Sequence, residues 1–277
     1  MKAAAFDYQR PAALSDTLQG LAEHGASAKL MGGSQSLGPM LNLRLARPRQ
    51  VLDISGLPEL RSVSVQNGWL RIGAAVTHAE IEDGVHAPLR GTPLQTVAAG
   101  IAYRAIRNRG TLGGSLAHAD PAADWVLAMN ALGAEIEITS LQGKRRVPMP
   151  LFMLGAYTTA LHEGDILSAV WVPQWSEAAR WGYYKFCRKT GEFAEASCAA
   201  LFDPARGVAR LVLGALDGAP RALPELAAQV ARTAARPTRE QIAAAVQTAA
   251  PGKDAIDRQL IATAVERCLQ QIFPASS

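Results

Sequence analysis

The sequence predicts an α+β fold, and three observations carry that prediction. The N-terminal segment reads as a compact α/β unit, a helix-patterned stretch between short apolar runs punctuated by Gly and Pro. From about Leu60, apolar residues alternate around Asn67-Gly68, a strong hairpin dipeptide. From Tyr183 on, strand-patterned runs come first, and a tail rich in Ala, Leu, Val and Gln follows from about Pro224. That order marks segregated strands and helices.

Taken in order, Ser15-Asp16 caps a helix through Leu18, Leu21 and Ala22, and His24-Gly25 ends it. Lys29-Leu30-Met31 is a short strand leading into Gly32-Gly33. Leu41 to Leu45 forms a short helical turn, and Val51-Leu52-Asp53-Ile54 a second strand. Pro48 and Gly56-Leu57-Pro58 punctuate that stretch. Val63, Val65, Leu70, Ile72 and Val76 build the hairpin, and Thr77 with Glu80 is a capping box. Helices are expected over Leu94 to about Arg104 and Pro121 to Leu132, with strands at Ala134 to Ile138, Ile166-Leu167 and Val170 to Val172. Pro173 to Ala179 reads as a linker. Tyr183 to Arg188, Ala196 to Phe202 and Ala209 to Ala215 are three strands, and the tail, broken at Pro237 and Pro251, is two or three amphipathic helices.

Composition narrows the function. The 277 residues, 49% of them apolar, suffice for one large domain or two to three smaller ones. A net charge of +4 without Lys/Arg runs, and with few aromatics, argues against nucleic-acid binding. No apolar stretch reaches the roughly 20 residues of a membrane span, and no basic-then-apolar leader pattern is present. Cys187, Cys198 and Cys268 are scattered without a C-x-x-C pair, which argues against an iron–sulfur cluster or structural zinc on this chain. A cytoplasmic, reduced protein that is not an integral membrane protein is the expectation.

The chemistry-bearing residues concentrate in two places. Arg107 to Asp124 (RNRGTLGGSLAHADPAAD) packs paired glycines between hydroxyls, with basic residues before and carboxylates after. Leu30-Met31-Gly32-Gly33-Ser34-Gln35-Ser36-Leu37 repeats the idea. Glycine lets backbone approach a ligand closely, and successive free N–H groups form an anion-binding nest. Two such stretches suggest a ligand with more than one phosphate. Neither fits G-x-G-x-x-G or the G-x-x-x-x-G-K-[ST] loop, which argues against a Rossmann site and a nucleotide hydrolase. Asp124 reads equally as a match to a helix N-terminus and as a hydrogen-bond acceptor for a nucleotide. His118 and Asp120 lack a third metal ligand and read as structural. Arg107 and Arg109 steer a phosphate or form surface ion pairs. Lys185 reads as an exposed strand lysine, and Cys187 and Cys198 as core thiols.

Taken together, these residues resemble the flavoprotein subunit of the molybdenum hydroxylases, the xanthine dehydrogenase and aerobic carbon monoxide dehydrogenase family. The likeness runs over Gly32 to Leu45, Ile106 to Asp124, Gly182-Tyr183-Tyr184-Lys185 and Gly191-Glu192-Phe193-Ala194, and its order and spacing cover nearly the whole chain. The resemblance implies a PCMH-type FAD-binding domain over residues 1–175, with subdomains at about 1–56 and 57–175. A small C-terminal domain of the carbon monoxide dehydrogenase flavoprotein type, a three-stranded antiparallel sheet with helices, would occupy 176–277. It implies that Leu30 to Leu37 wrap the pyrophosphate and ribityl region, and that Thr111, Gly113, Gly114 and Ser115 form a second phosphate clamp. Ile101 and Ala102 would pack near the flavin, and Asp124 would hydrogen-bond the cofactor. Leu167 would lie beside the adenine or ring system, Lys185 would approach the isoalloxazine, and Phe193 stands where some members place an aromatic over one flavin face.

The implied role is electron transfer. Molybdopterin would sit on a large partner subunit and [2Fe-2S] clusters on a small one, assembled as a dimer of heterotrimers. Electrons would pass through FAD to NAD, quinone, oxygen or a carrier protein. No general acid, base or metal ligand is nominated. Two alternatives remain: a stand-alone flavin oxidoreductase with a related fold, and a non-enzymatic nucleotide-binding module.

Overall fold

The computed structural model describes residues 2–274. Strands β1 (Asp7–Gln9), β2 (Ala28–Met31) and β3 (Gln50–Asp53) form a parallel sheet in the order β1-β3-β2. Helix α1 (Leu14–His24) connects β1 to β2 and buries Leu18 and Leu21 against Leu52, Ile54, Leu57 and Leu60. It starts one residue before the predicted cap: Ala13 holds the N-cap position and donates its N–H to Asp16 Oδ2 at 3.2 Å. Gly25 ends the helix with φ of 51°. Helix α2 (Leu37–Asn42) begins four residues ahead of the predicted turn.

A second, antiparallel sheet comprises β4 (Val63–Gln66), β5 (Trp69–Gly73), β6 (Glu135–Ser140), β7 (Gly143–Pro148) and β10 (Ile166–Pro173), in the order β4-β5-β10-β6-β7. Asn67 and Gly68 both take positive φ, 50° and 77°, as a two-residue hairpin requires. The two runs predicted at 166–167 and 170–172 are one strand, interrupted by a register shift between Leu167 and Ala169. Strand β7 carries no apolar alternation, only Gly-Lys-Arg-Arg-Val-Pro, so its place at the sheet edge left no sequence signal. Helix α8 (Met149–Phe152) and the small hairpin of β8 (Met153–Gly155) and β9 (Thr158–Thr159) link β7 to β10.

Helices α3 (His78–Glu82), α4 (Pro93–Ala99), α6 (Leu112–His118) and α7 (Asp124–Leu132) share one apolar core with this sheet. The helix expected from Leu94 to Arg104 is instead broken. It stops at Ala99, Ala102 takes φ of 41°, and α5 (Arg104–Arg107) starts anew. Side chains from elsewhere take the carbonyls of the break: Arg107 Nη1 donates to Ile101 O (2.9 Å) and Ala102 O (3.2 Å), and Lys185 Nζ to Gly100 O (2.7 Å). The helix expected from Pro121 starts at Asp124, after a turn in which Asp120 Oδ1 accepts from Ala122 N. Helix α6 was not expected at all. Its first turn contains Gly113-Gly114, which disfavours helix by about 1 kcal/mol per glycine, and burial of Leu112 and Leu116 overrides that cost.

The third sheet is β11 (Arg180–Phe186), β12 (Ala196–Asp203), β13 (Val208–Gly214) and β14 (Arg221–Ala222), antiparallel in that order. The expected three strands thus gain a fourth, two residues long and too short to show a period. Helices α9 (Pro224–Thr233), α10 (Arg239–Ala249) and α11 (Ala255–Ile272) supply a core that closes on β12 and β13. Helix α7 packs on the third sheet through Leu127 and Ala131, against Ala199 and Val212. It is apolar on every side, and all nine of its residues are buried; a helix hydrophobic all round belongs between layers. This burial holds Asp124 at a fixed place between the second and third sheets.

Candidate cofactor-binding site

A cleft of about 910 Å³ runs between the glycine-rich stretches. Leu30, Gly32, Gly33, Ser34, Gln35, Ser36 and Leu37 form one wall, at the end of β2 and the start of α2. Thr111, Gly113, Gly114 and Ser115 reach it from α6, Ile101 and Ala102 from the break after α4, Leu167 from the β10 bulge, and Asp124 from α7. Met31 is not in the wall; it pairs with Asp53, and its carbonyl accepts from Ile54 N at 2.9 Å. Phe193 lines the cleft and is 64% exposed, on a loop tied down where Tyr103 Oη donates to Thr190 O at 2.7 Å.

The two glycine stretches differ in what they offer. Among the described residues, the backbone N–H groups of Gly33, Ser34, Gln35 and Ser36 donate to no protein acceptor. Ser34 takes φ of 63°, the left-handed turn of an anion nest. The second stretch is not such a nest. Leu112 N donates to Val76 O (3.0 Å), Gly113 N to Ala74 O (2.9 Å), Gly114 N to Thr111 Oγ1 (3.1 Å) and Ser115 N to Thr111 O (3.0 Å). Its amides are used, so only the Thr111 and Ser115 hydroxyls can serve a ligand.

The glycines also serve a purpose the sequence did not reveal. A Cβ on Gly33 would lie 1.7 Å from Arg109 O, and one on Gly113 would lie 2.4 Å from the Ala74 Cβ. Both let protein segments touch each other, which brings the free amides of one stretch beside the hydroxyls of the other.

Asp124 is the polar hub. Its Oδ1 accepts from Tyr183 Oη and Lys185 Nζ, each at 2.7 Å. Lys185 is therefore not an exposed strand lysine; its side chain is 16% exposed and its ammonium lies between Asp124 and Gly100 O, not in the cleft wall. Burial, followed by the Asp124 carboxylate, holds the Tyr183 phenol well above its ordinary pKa, so it remains a donor. Arg107 pairs with Glu82 (Nε to Oε2, 2.7 Å), and this hydrogen bond foremost depresses the Glu82 pKa. His118 and Asp120, read as structural, both line the cleft; the His118 ring is tilted against Tyr157 with centroids 5.2 Å apart, and Asp120 Oδ2 accepts from the Tyr157 hydroxyl at 3.1 Å.

Ile106 and Gly110, inside the second singled-out stretch, also line the wall, and sequence reasoning missed several others: Lys29, Ala74, Ala75, His78 and the turn at residues 161–165. Only Thr77-x-x-Glu80 pointed near one of them, because it sets His78 in the first turn of α3. Cys187 is half-buried and Cys198 and Cys268 are buried, all three free. Among the described residues no three His, Cys, Asp or Glu side chains converge as a metal site, and no helix is long and apolar enough to cross a membrane.

A glycine-walled cleft with free amides, hydroxyls and a buried carboxylate has the donors and the space to take a phosphate-bearing cofactor. Comparison with known proteins says which one: residues 4–175 match the family described as the FAD binding domain in molybdopterin dehydrogenase, and the chain belongs to it, as the FAD-binding medium subunit of a molybdenum hydroxylase-type oxidoreductase. The nicotine 6-hydroxylase medium subunit of Paenarthrobacter nicotinovorans is 37% identical over 208 residues, 74% of this chain and 71% of that one. The 6-hydroxypseudooxynicotine dehydrogenase complex subunit alpha of the same organism is 32% identical over 280 residues, 97% of this chain and 95% of that one. Among solved structures, quinoline 2-oxidoreductase from Pseudomonas putida 86 superposes with a TM-score of 0.87 at 33% identity, covering 99% of each chain. Carbon monoxide dehydrogenase from Hydrogenophaga pseudoflava does so at 0.89 and 29%, covering 100% of each. The mixed helix-and-strand fold expected from the sequence is that of these medium subunits.

Proposed function

We propose that this chain is the electron relay of a three-subunit molybdenum hydroxylase. This chain would hold FAD, which when bound would supply the redox chemistry between [2Fe-2S] clusters on a small partner subunit, with molybdopterin on a large one, and an acceptor that is NAD, quinone, oxygen or a carrier protein. A dimer of heterotrimers in the cytoplasm is the expected assembly. What supports this reading is the family membership and relatives named as medium chains or complex subunits.

The observation that carries the site is the row of four unpartnered amides, Gly33 to Ser36, opposite the Thr111 and Ser115 hydroxyls. These donors fit a diphosphate, and the glycine contacts keep them adjacent. Gly113 and Gly114 keep the second wall thin. Leu30, Leu37, Ile101, Ala102 and Leu167 give the cleft apolar surface for ring systems, and Phe193 stands where an aromatic can cover one. Asp124, fixed by Tyr183 and Lys185, has its second oxygen for a donor on the cofactor. No side chain is assigned as general acid or base. The FAD-binding domain is read as residues 1–175 in two parts, divided near residue 56, and the C-terminal domain as 176–277, in line with the separate apolar clusters.

Co-expression with its neighbouring subunits tests the reading. The expected product carries one FAD per chain, molybdenum and iron in the complex, and flavin that substrate reduces only when all subunits are present. A chain that oxidises substrate by itself points to a stand-alone flavin oxidoreductase. Absence of flavin from both the free chain and the complex overturns the assignment.

A further inference from the structure

His78 is 5% exposed, yet it belongs to the cleft wall. Its Nδ1 sits 3.0 Å from the Trp125 indole nitrogen. An indole N–H only donates, so Nδ1 must accept, and the single proton of the neutral ring lies on Nε2. Burial foremost, and then the nearby Arg107 charge, pushes the His78 pKa down to about 4, so the ring is neutral at physiological pH. Nε2–H has no acceptor among the described residues. Gly110 leaves the space over it: a Cβ there would stand 2.8 Å from Nε2. The residue is nearly buried, but Nε2 is not sealed off: it keeps access to solvent, and His78 lines the cleft, so an acceptor on a ligand there can take the place of water.

We propose that His78 is a further cofactor-binding residue, donating a hydrogen bond from Nε2–H to an acceptor atom of bound FAD, with Trp125 the positioning residue that fixes the tautomer. This inference rests on the FAD reading above. The chain thereby presents a neutral, directional donor where an arginine or lysine would bring charge.

Two substitutions separate the binding role from a structural one. His78→Asn keeps an acceptor at the Nδ1 position for Trp125 and removes the outer donor. His78→Gln keeps a donor at the Nε2 position and removes the acceptor for Trp125. The full chain, free and in complex with its partner subunits, is titrated with FAD, and the melting temperature is measured without FAD. The expected result is crossed. H78N melts close to wild type and binds FAD about tenfold more weakly, whereas H78Q melts lower and binds FAD within about threefold of wild type. Wild-type FAD affinity in H78N overturns the proposal, as does an equal loss of affinity in both variants. A wild-type chain that binds no FAD in either form fails the FAD reading instead.

Discussion

Changing Asp124 to asparagine isolates the buried charge that joins α7 to β11. In the native chain, Oδ1 takes hydrogen bonds from Tyr183 Oη and Lys185 Nζ at 2.7 Å, and the Asp124 and Lys185 side chains are 8% and 16% exposed. Asparagine preserves the shape and one acceptor, but the Lys185 ammonium is left buried with only neutral oxygens, Gly100 O among them. Removing one partner of a buried pair costs about 3–5 kcal/mol; the retained acceptor brings the expected loss to about 2–3 kcal/mol. For a chain of this size, that lowers the melting temperature by about 5–10 °C. The assay is thermal unfolding of wild type, D124N, K185M and the double variant. With no ammonium left to strand, the second change in the double variant costs little, and the coupling energy comes to about 1.5–2 kcal/mol. Costs that add to within about 0.5 kcal/mol refute the reasoning, because independent sites behave that way.

Gly33→Ala puts a Cβ 1.7 Å from Arg109 O, where ordinary contact begins at 3.4 Å. The two cleft walls must part, and FAD content per chain should fall at least tenfold, measured as flavin released on denaturation; full occupancy with an unshifted melt contradicts the loop-contact argument. His78 makes stability fall with acid. Its folded pKa is about 4 against an ordinary 6.5, so the unfolded state binds the extra proton between those values, and stability is lost as pH drops through that window. Linkage gives about 1.5 kcal/mol lost between pH 6.5 and 5 from this group. Denaturant unfolding across that range should show a shallower loss in H78N, and identical slopes would contradict it.

How much of this was legible in the sequence depended on the range of the forces involved. Local ones left clear signs. Thr77 and Glu80 form the expected capping box, with Glu80 N donating to Thr77 Oγ1 at 3.2 Å. Asn67-Gly68 makes the hairpin, and β2, β3, β6, β12 and β13 fall within a residue or two of their patterns. Non-local ones did not. The break at Gly100 exists because Arg107 and Lys185 take the carbonyls there. The helix α6 forms across two glycines because Leu112 and Leu116 are buried. Lys185 looked like a surface residue because its partner lies 61 positions away.

The sequence by itself pointed to the class of ligand and singled out the two glycine stretches that line the cleft, since paired glycines next to hydroxyls are a local chemical statement. Only the tertiary structure decided how the work divides between them. Hydrogen bonding to residues 74–76 consumes amides of the second stretch, and those of the first remain free. The structure also turned His78, an ordinary residue in an ordinary capping box, into a neutral donor in the cleft wall, because its proton position follows from Trp125, 47 residues away. Which amides are free, and which nitrogen carries a proton, depend on partners distant in sequence, and no local pattern encodes them.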